Sequence, residues 1–216
     1  MDRLERDVRG DGRPGCSVGI QHDLDDISGL TLKWDGTIDK DVGDEVVALW
    51  SAPIRQSDHA LLALRCAYDL IAQAPAPHAK LVEQGLPPVS WGIGINTGPA
   101  VVGNMGSKDR LQYTALGDTV NTAARFCSAA PAFDILAGWP TYEACAEYLA
   151  VDEPPGLQLK GKSAEKFRVM RVSAIRENQG ARWVQIPTEA ALESSETHRN
   201  RYAQQAVFAA AEKAEA

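Results

Sequence analysis

The segment Gly36-Thr-Ile-Asp-Lys-Asp-Val-Gly-Asp-Glu-Val46 sets Lys40 and Asp44 four residues apart, with Asp44 in a Gly-Asp-Glu turn between two apolar runs. A carboxylate on a tight turn suits a hard divalent ion such as Mg²⁺. That ion takes one or two protein carboxylates and fills its shell with phosphates and water. The same residues would also make an ordinary acidic turn, and this segment alone leaves both readings open. Two other stretches match nucleotide motifs. Gly156-Leu-Gln-Leu-Lys-Gly-Lys-Ser163 fits the pattern GxxxxGK[ST]. A phosphate loop must leave a strand and open a helix, so that amides and the helix dipole face the phosphates. Here Leu157–Lys160 alternates as a strand does and Lys166–Val172 also reads as a strand, so the expected structure is a hairpin. Gly92-Ile-Gly-Ile-Asn-Thr-Gly98 carries its third glycine one place too late for the dinucleotide fingerprint. It reads as close backbone packing between strands.

The elements that must position these residues follow from hydrophobic period and turn chemistry. Residues 1–30 are rich in Asp, Gly and Arg and have little periodicity. Leu30 to Ala52 reads as two strands around Gly43-Asp44. Ser57-Asp58 can cap a helix whose apolar positions are Leu61, Leu64, Tyr68 and Ile71, ending before Pro75–Pro77. Val89–Gly98 and Ala100–Met105 look like a strand pair joined by Thr97-Gly98-Pro99. Asp118 can cap a helix that starts after Gly117. A strand at Phe133–Leu136 and a helix at Pro140–Leu149 come next. Pro187–Ala216, rich in Ala and Glu, reads as an exposed tail helix. Alternating strands and helices predict an α+β or α/β domain.

Composition narrows the class. The chain has 216 residues, enough for one domain and an appendage, and is 44% hydrophobic and 24% charged, as soluble globular proteins are. A net charge of -7 argues against a general polyanion binder, so nucleic acid is not an expected partner. Cys16, Cys66, Cys127 and Cys145 form no CxxC pair; three of them lie in apolar helical contexts, where buried free thiols are the default, and a reducing cytosol is the simplest setting. The start Met1-Asp-Arg-Leu-Glu-Arg-Asp-Val-Arg9 is too charged for a signal peptide, and no apolar run approaches the ~20 residues that span a bilayer.

Five segments taken in order are more specific than any one of them. They are Asp39–Val46, Gly92–Gly98, Val102–Ser107, Arg110-Leu-Gln-Tyr-Thr-Ala-Leu-Gly-Asp-Thr-Val-Asn-Thr-Ala-Ala-Arg125 and Leu159-Lys-Gly-Lys162. Over about residues 30–172 the series closely resembles the catalytic domain of class III adenylyl/guanylyl cyclases. The resemblance implies an α/β sandwich of the ferredoxin-like, nucleotide cyclase type. It implies that Asp44 is one of two aspartates holding Mg²⁺ or Mn²⁺ on a triphosphate, and that Lys40 and Thr114 read the purine. Guanylyl cyclases generally carry glutamate and cysteine there, so Lys40 and Thr114 favour ATP. By the same comparison Asn121 orients the ribose, Arg125 stabilises the phosphoryl transition state and Lys160 meets the terminal phosphates, while Arg110 adds charge nearby. Such residues suit the chemistry, because phosphoryl transfer chiefly needs positioning and charge neutralisation. Asn121 and Arg125, four apart, share one helical face.

The family works as a head-to-tail dimer, so a homodimer or a hetero-dimer with another cyclase domain is expected. The resemblance departs at the start. The family's other metal aspartate lies in a segment like Asp-Ile-x-Gly-Phe-Thr, and the nearest candidate, Asp7-Val-Arg-Gly10, has neither the apolar strand before it nor the Phe-Thr after it. An N-terminally truncated domain is therefore expected, with one strand fewer and an exposed sheet edge. The expected divisions are an irregular segment 1–29, a partial cyclase domain 30–175 and a helical tail 176–216. Two functions remain in view. One is an adenylate cyclase that makes cyclic AMP. The other is a catalytically impaired, nucleotide-binding partner that dimerises with a complete cyclase domain.

Overall fold

The computed structural model describes residues 25–43, 45–73, 83, 89–154 and 168–187, with the backbone alone for 89–90 and 202–213. A helix over 25–33 (α1) opens the described chain. It is followed by β1 (Thr37–Val42), β2 (Glu45–Trp50), α2 (His59–Gln73), β3 (Val89–Ser107) and β4 (Arg110–Leu116). Helix α3 (Asp118–Ala129), β5 (Ile135–Gly138), α4 (Trp139–Cys145) and a short 3₁₀ turn (Ala146–Tyr148) come next. The remaining strands are β6 (Leu149–Asp152), β7 (Val169–Ile175), β8 (Val184–Gln185) and β9 (Tyr202–Lys213).

The strands join in one sheet of order β1-β2-β9-β3-β5-β7-β6, with β4 on β3 and β8 on β7. Strand β9 runs parallel to both β2 and β3. Strands β2 and β3 therefore point the same way, and α2 makes the crossover that parallel strands require. Burial on β2 shows how the sheet is covered on both faces. Val46, Ala48 and Trp50 join a large core with Ile27 of α1, Leu64 and Ile71 of α2 and Cys145 of α4. The alternate residues Val47 and Leu49 join a smaller core with Ala100, Ala115 and Val120, Ala123 and Cys127 of α3. The two-residue period of a strand sorts one sequence onto two cores.

Several sequence expectations shift. Residues 30–33 belong to α1 rather than to a strand, and Ile27 and Thr31, four apart, are its buried residues. The buried stripe of α2 is Ala60, Ala63, Leu64, Cys66, Ala67, Leu70 and Ile71, so Leu61 and Tyr68 lie at its margin. Thr97-Gly98-Pro99 is not a turn, because β3 runs unbroken through it. The Thr119 hydroxyl donates to the Pro99 carbonyl at 2.6 Å, so that stretch meets α3 instead of reversing the chain. The glycines of Gly92–Gly98 pack against a helix rather than another strand. A Cβ on Gly94 would stand 2.2 Å from Cys127 N and 2.3 Å from Ala123 O, both in α3. Strand β5 begins two residues later than the expected Phe133.

The largest correction concerns the tail. Within Pro187–Ala216, residues Tyr202–Lys213 form a strand, not a helix, and lie inside the sheet between β2 and β3. Alanine and glutamate favour helix in isolation. Between two strands, however, the segment satisfies amides and carbonyls that β2 and β3 would otherwise leave unpaired, and pairing of that kind overrides local propensity.

Candidate active site

Lys40 and Thr114, which lie 74 residues apart in sequence, meet where β1 approaches β4, and the Lys40 Nζ donates to the Thr114 Oγ1 at 2.8 Å. Strand β4 pairs with the outer half of β3, Thr114 opposite Gly103, and becomes buried only as it runs inward to Thr114 and Ala115. Ala115 is held in the core beneath α3, which seats the neighbouring Thr114. On β1 the pairing with β2 slips between Ile38 and Lys40, a β-bulge at Asp39. The Asp39 Oδ2 lies 3.0 Å from the Lys40 Nζ, and the Asp39 side chain is 0% exposed against 31% for Lys40. The Gln112 side-chain amide of β4 donates to the Asp39 carbonyl at 3.3 Å. Lysine thus has one bond to a hydroxyl, one ion pair, and an outer part still open to a ligand.

Asn121 and Arg125 are presented differently. Helix α3 starts at Gly117, whose φ of +146° few residues with a side chain adopt, and the Asn121 amide donates to the Gly117 carbonyl at 3.3 Å. Asp118 is in the first turn rather than at the cap, which has no side-chain hydrogen bond. The helix buries Thr119, Val120, Thr122, Ala123, Phe126 and Cys127. This leaves Asn121 and Arg125 exposed, one turn apart on the outer face. Arg110 sits at the tip of the β3–β4 hairpin opposite Ser107, exposed, four residues along the strand from Thr114 or about 13 Å. It does not join the Lys40–Thr114 cluster.

Asp44, Lys160 and Asp7 lie outside the described residues, as does the Gly156–Ser163 stretch. Among the described residues no group of three His, Cys, Asp or Glu side chains could hold a metal ion. The described part of the site does not by itself fit Mg²⁺ or Mn²⁺. Val42 pairs with Glu45 at the end of the β1–β2 hairpin.

Residues 29–171 match the adenylate and guanylate cyclase catalytic domain. The chain belongs to that family. Among curated relatives, adenylate cyclase 1 of Rhizobium meliloti (strain 1021) is 46% identical over 102 residues, 47% of this chain and 15% of that protein. An uncharacterised protein of Mycobacterium tuberculosis (strain H37Rv) is 37% identical over 117 residues, 52% of this chain and 20% of that one. The chain therefore spans about a fifth or less of the length of these relatives. The guanylyl cyclase Cya2 aligns with a TM-score of 0.71 at 24% identity, covering 86% of this chain and 92% of that one. The adenylyl cyclase CyaB from P. aeruginosa aligns with a TM-score of 0.66 at 23% identity, covering 82% and 91%. These two show that the α+β fold is that of cyclase catalytic domains. Cyclases of both base specificities share it, so the fold does not choose the nucleotide.

Two residues beside Lys40 escape sequence reasoning. Asp39 and Gln112 each lie within a recognised segment, yet neither adjacency to Lys40 nor spacing from Thr114 marks them. Adjacent residues of a regular strand point to opposite faces, so only the bulge makes Asp39 a neighbour of the Lys40 ammonium. A bulge has no reliable sequence signal here.

Proposed function

We propose that this chain converts ATP into 3′,5′-cyclic AMP and pyrophosphate. The observation that carries this reading is the Lys40–Thr114 contact at 2.8 Å. Lysine only donates, and adenine offers an acceptor at ring N1 where guanine carries a hydrogen. Threonine can accept from the exocyclic amine of adenine while it accepts from Lys40, because a hydroxyl has two lone pairs. The kinship with an adenylate cyclase over 102 residues supports the same choice.

In this reading Asn121 holds the ribose so that its 3′-oxygen faces the α-phosphorus. That oxygen forms the new bond, loses its proton, and the bond to the β-phosphate oxygen breaks as pyrophosphate leaves. Arg125 offers a fork of N–H donors to the charge that develops on the α-phosphate. Lys160 neutralises the terminal phosphates, with Arg110 further out. A divalent ion, Mg²⁺ or Mn²⁺, would enter with the triphosphate and supply charge neutralisation, with Asp44 as this chain's ligand to it. Asn121 and Arg125 face outward, and Val101, Leu111 and Leu116 of the β3–β4 hairpin are 64%, 63% and 54% exposed. Both features suit a second cyclase domain, the same chain or another, closing over the nucleotide.

The test is formation of cyclic AMP and cyclic GMP by the purified chain with Mn²⁺, alone and mixed with a complete cyclase domain lacking its own Lys40 and Arg125 equivalents. Cyclic AMP from the chain alone, abolished by Asp44→Ala, upholds the reading. If wild type and Asp44→Ala are equally silent alone but restore the mixed partner, the chain is a partner subunit instead. Cyclic GMP as the main product would sink the assignment of ATP.

A further inference from the structure

We infer that Asp39 is the positioning residue for Lys40, a buried clamp that presets the lysine for the purine; this rests on the reading of Lys40 as the base reader. In a regular strand Asp39 would point away from Lys40. The register slip between Ile38 and Lys40 leaves Asp39 as the extra residue on β1, opposite no residue of β2. Bulges re-aim side chains in this way. The carboxylate ends 3.0 Å from the Lys40 Nζ, and its side chain is fully buried. Among the described residues neither of its oxygens receives an aligned hydrogen bond. A buried carboxylate with so little other support is strongly tied to its counter-charge. The tie therefore constrains the lysine more than a surface pair could.

The rest of the cluster fixes the direction of that constraint. The Gln112 side chain of β4 holds the Asp39 carbonyl, which anchors the bulge to the strand that carries Thr114. An ammonium has three N–H donors. One goes to the Thr114 Oγ1, the nitrogen lies 3.0 Å from the Asp39 Oδ2, and 31% of the lysine side chain stays exposed to a ligand. A free lysine stem would have to be ordered when nucleotide binds; one ordered beforehand avoids that loss and discriminates more sharply. Asp39 itself is covered and touches no ligand. It acts through Lys40, on which base is preferred, and leaves phosphate chemistry alone.

The experiment compares wild type, Asp39→Asn, Lys40→Met and the double variant, using the full chain with Mn²⁺. Calorimetry measures binding of α,β-methylene ATP and α,β-methylene GTP, which cannot be cyclised, and thermal unfolding is followed without nucleotide. Asp39→Asn is expected to lower the preference for the adenine compound about tenfold, in the range of coupled neighbours. In the Lys40→Met background it should change the preference not at all. Asp39→Glu should restore part of it. An equal loss in both backgrounds, or no loss where Lys40→Met shows one, overturns the clamp. If Lys40→Met leaves the preference unaltered, Lys40 is not the base reader, and unfolding then judges the clamp by itself. Non-additive effects of the two substitutions on unfolding uphold the Asp39–Lys40 tie; additive effects overturn it.

Discussion

The Lys40–Thr114 cluster and the outer face of α3 are two kinds of site in one domain. The first is closed within the chain, with lysine, threonine and a buried carboxylate already in contact. The second leaves Asn121 and Arg125 exposed on a helix whose other face is core. A group that is already held can discriminate between ligands, because its geometry does not depend on them. A group in solvent gains strength only when a ligand or a second surface removes water from it. Under the proposed function this difference places selectivity in the first region and rate in the second, and each can be perturbed separately.

The heaviest blow to the comparison falls on the strand that spans it. Strand β9 lies between β2, which leads to Lys40 through β1, and β3, which leads to Thr114 through β4. Val207 pairs with Val47 on one side and Gly94 on the other. Deleting residues 188–216 should abolish the cooperative thermal transition, because the sheet then parts along an unpaired seam. Val207→Pro, which removes one N–H and stiffens the strand, should cost on the order of 1–3 kcal/mol. Circular dichroism melts check both. If neither change lowers the melting temperature, β9 does not hold the two halves of the sheet together.

That strand also marks where sequence reasoning stops. Strand β4 is not among the elements the sequence pattern predicts, whereas the order of β1, β2, α2 and α3 is legible because each has a local signal. Those signals are Gly43 between two apolar runs, the helical spacing of Leu61, Leu64, Tyr68 and Ile71, and the glycine before Asp118. The pairing of Lys40 with Thr114 was legible only through the ordered motifs of the family, and the 2.8 Å contact agrees with it. Strand β9 was not legible, because its Ala-rich sequence prefers helix locally and the pairing that decides it lies more than a hundred residues away. Asp39 was hidden for a related reason. Its role depends on a slip in register with β2, which belongs to the pair of strands and not to either sequence.

The second perturbation separates rate from selectivity. Arg125→Ala should lower the rate of cyclic AMP formation by about 10²–10³-fold, the scale for removing a donor aimed at developing charge. Binding of α,β-methylene ATP should change only a few-fold, and the preference over the guanine compound should not change. Single-turnover assays beside calorimetry separate the two quantities. A loss of binding equal to the loss of rate would make Arg125 a ground-state contact and erase the distinction between the regions.

A milder change belongs to the closed cluster. Thr114→Val keeps the shape of the side chain and removes the hydroxyl that accepts from Lys40. One such hydrogen bond contributes about 1 kcal/mol, so the preference for adenine should fall by about five- to tenfold. The rate with saturating ATP should stay within about twofold, since no group that meets the phosphates has moved. Competition between ATP and GTP in one assay reads the ratio directly. A large fall in rate with the ratio intact would place Thr114 with the catalytic groups instead.

The smallest effect at neutral pH concerns the core on the far side of the sheet from α3. Cys66 in α2 and Cys145 in α4 are both buried in that core, and burial pushes each thiol from 9.0 up to about 12. The Thr31 hydroxyl, 4.0 Å from the Cys66 Sγ, only partly offsets the desolvation of Cys66. Unfolded thiols release their protons near pH 9, while the folded ones keep theirs to about 12. Above pH 9 the unfolded chain therefore binds fewer protons, and stability falls as pH rises toward 12 by at most about 1.4 kcal/mol per pH unit for each thiol. Below pH 9 these groups contribute no slope. Urea midpoints measured from pH 7 to pH 11 should decline less steeply above pH 9 for Cys66→Ala/Cys145→Ala than for wild type. Equal slopes would mean that the two thiols ionise in the folded protein as freely as in the unfolded one. The ATP preference of the same variant should match wild type, because Lys40, Asp39 and Thr114 contact neither thiol.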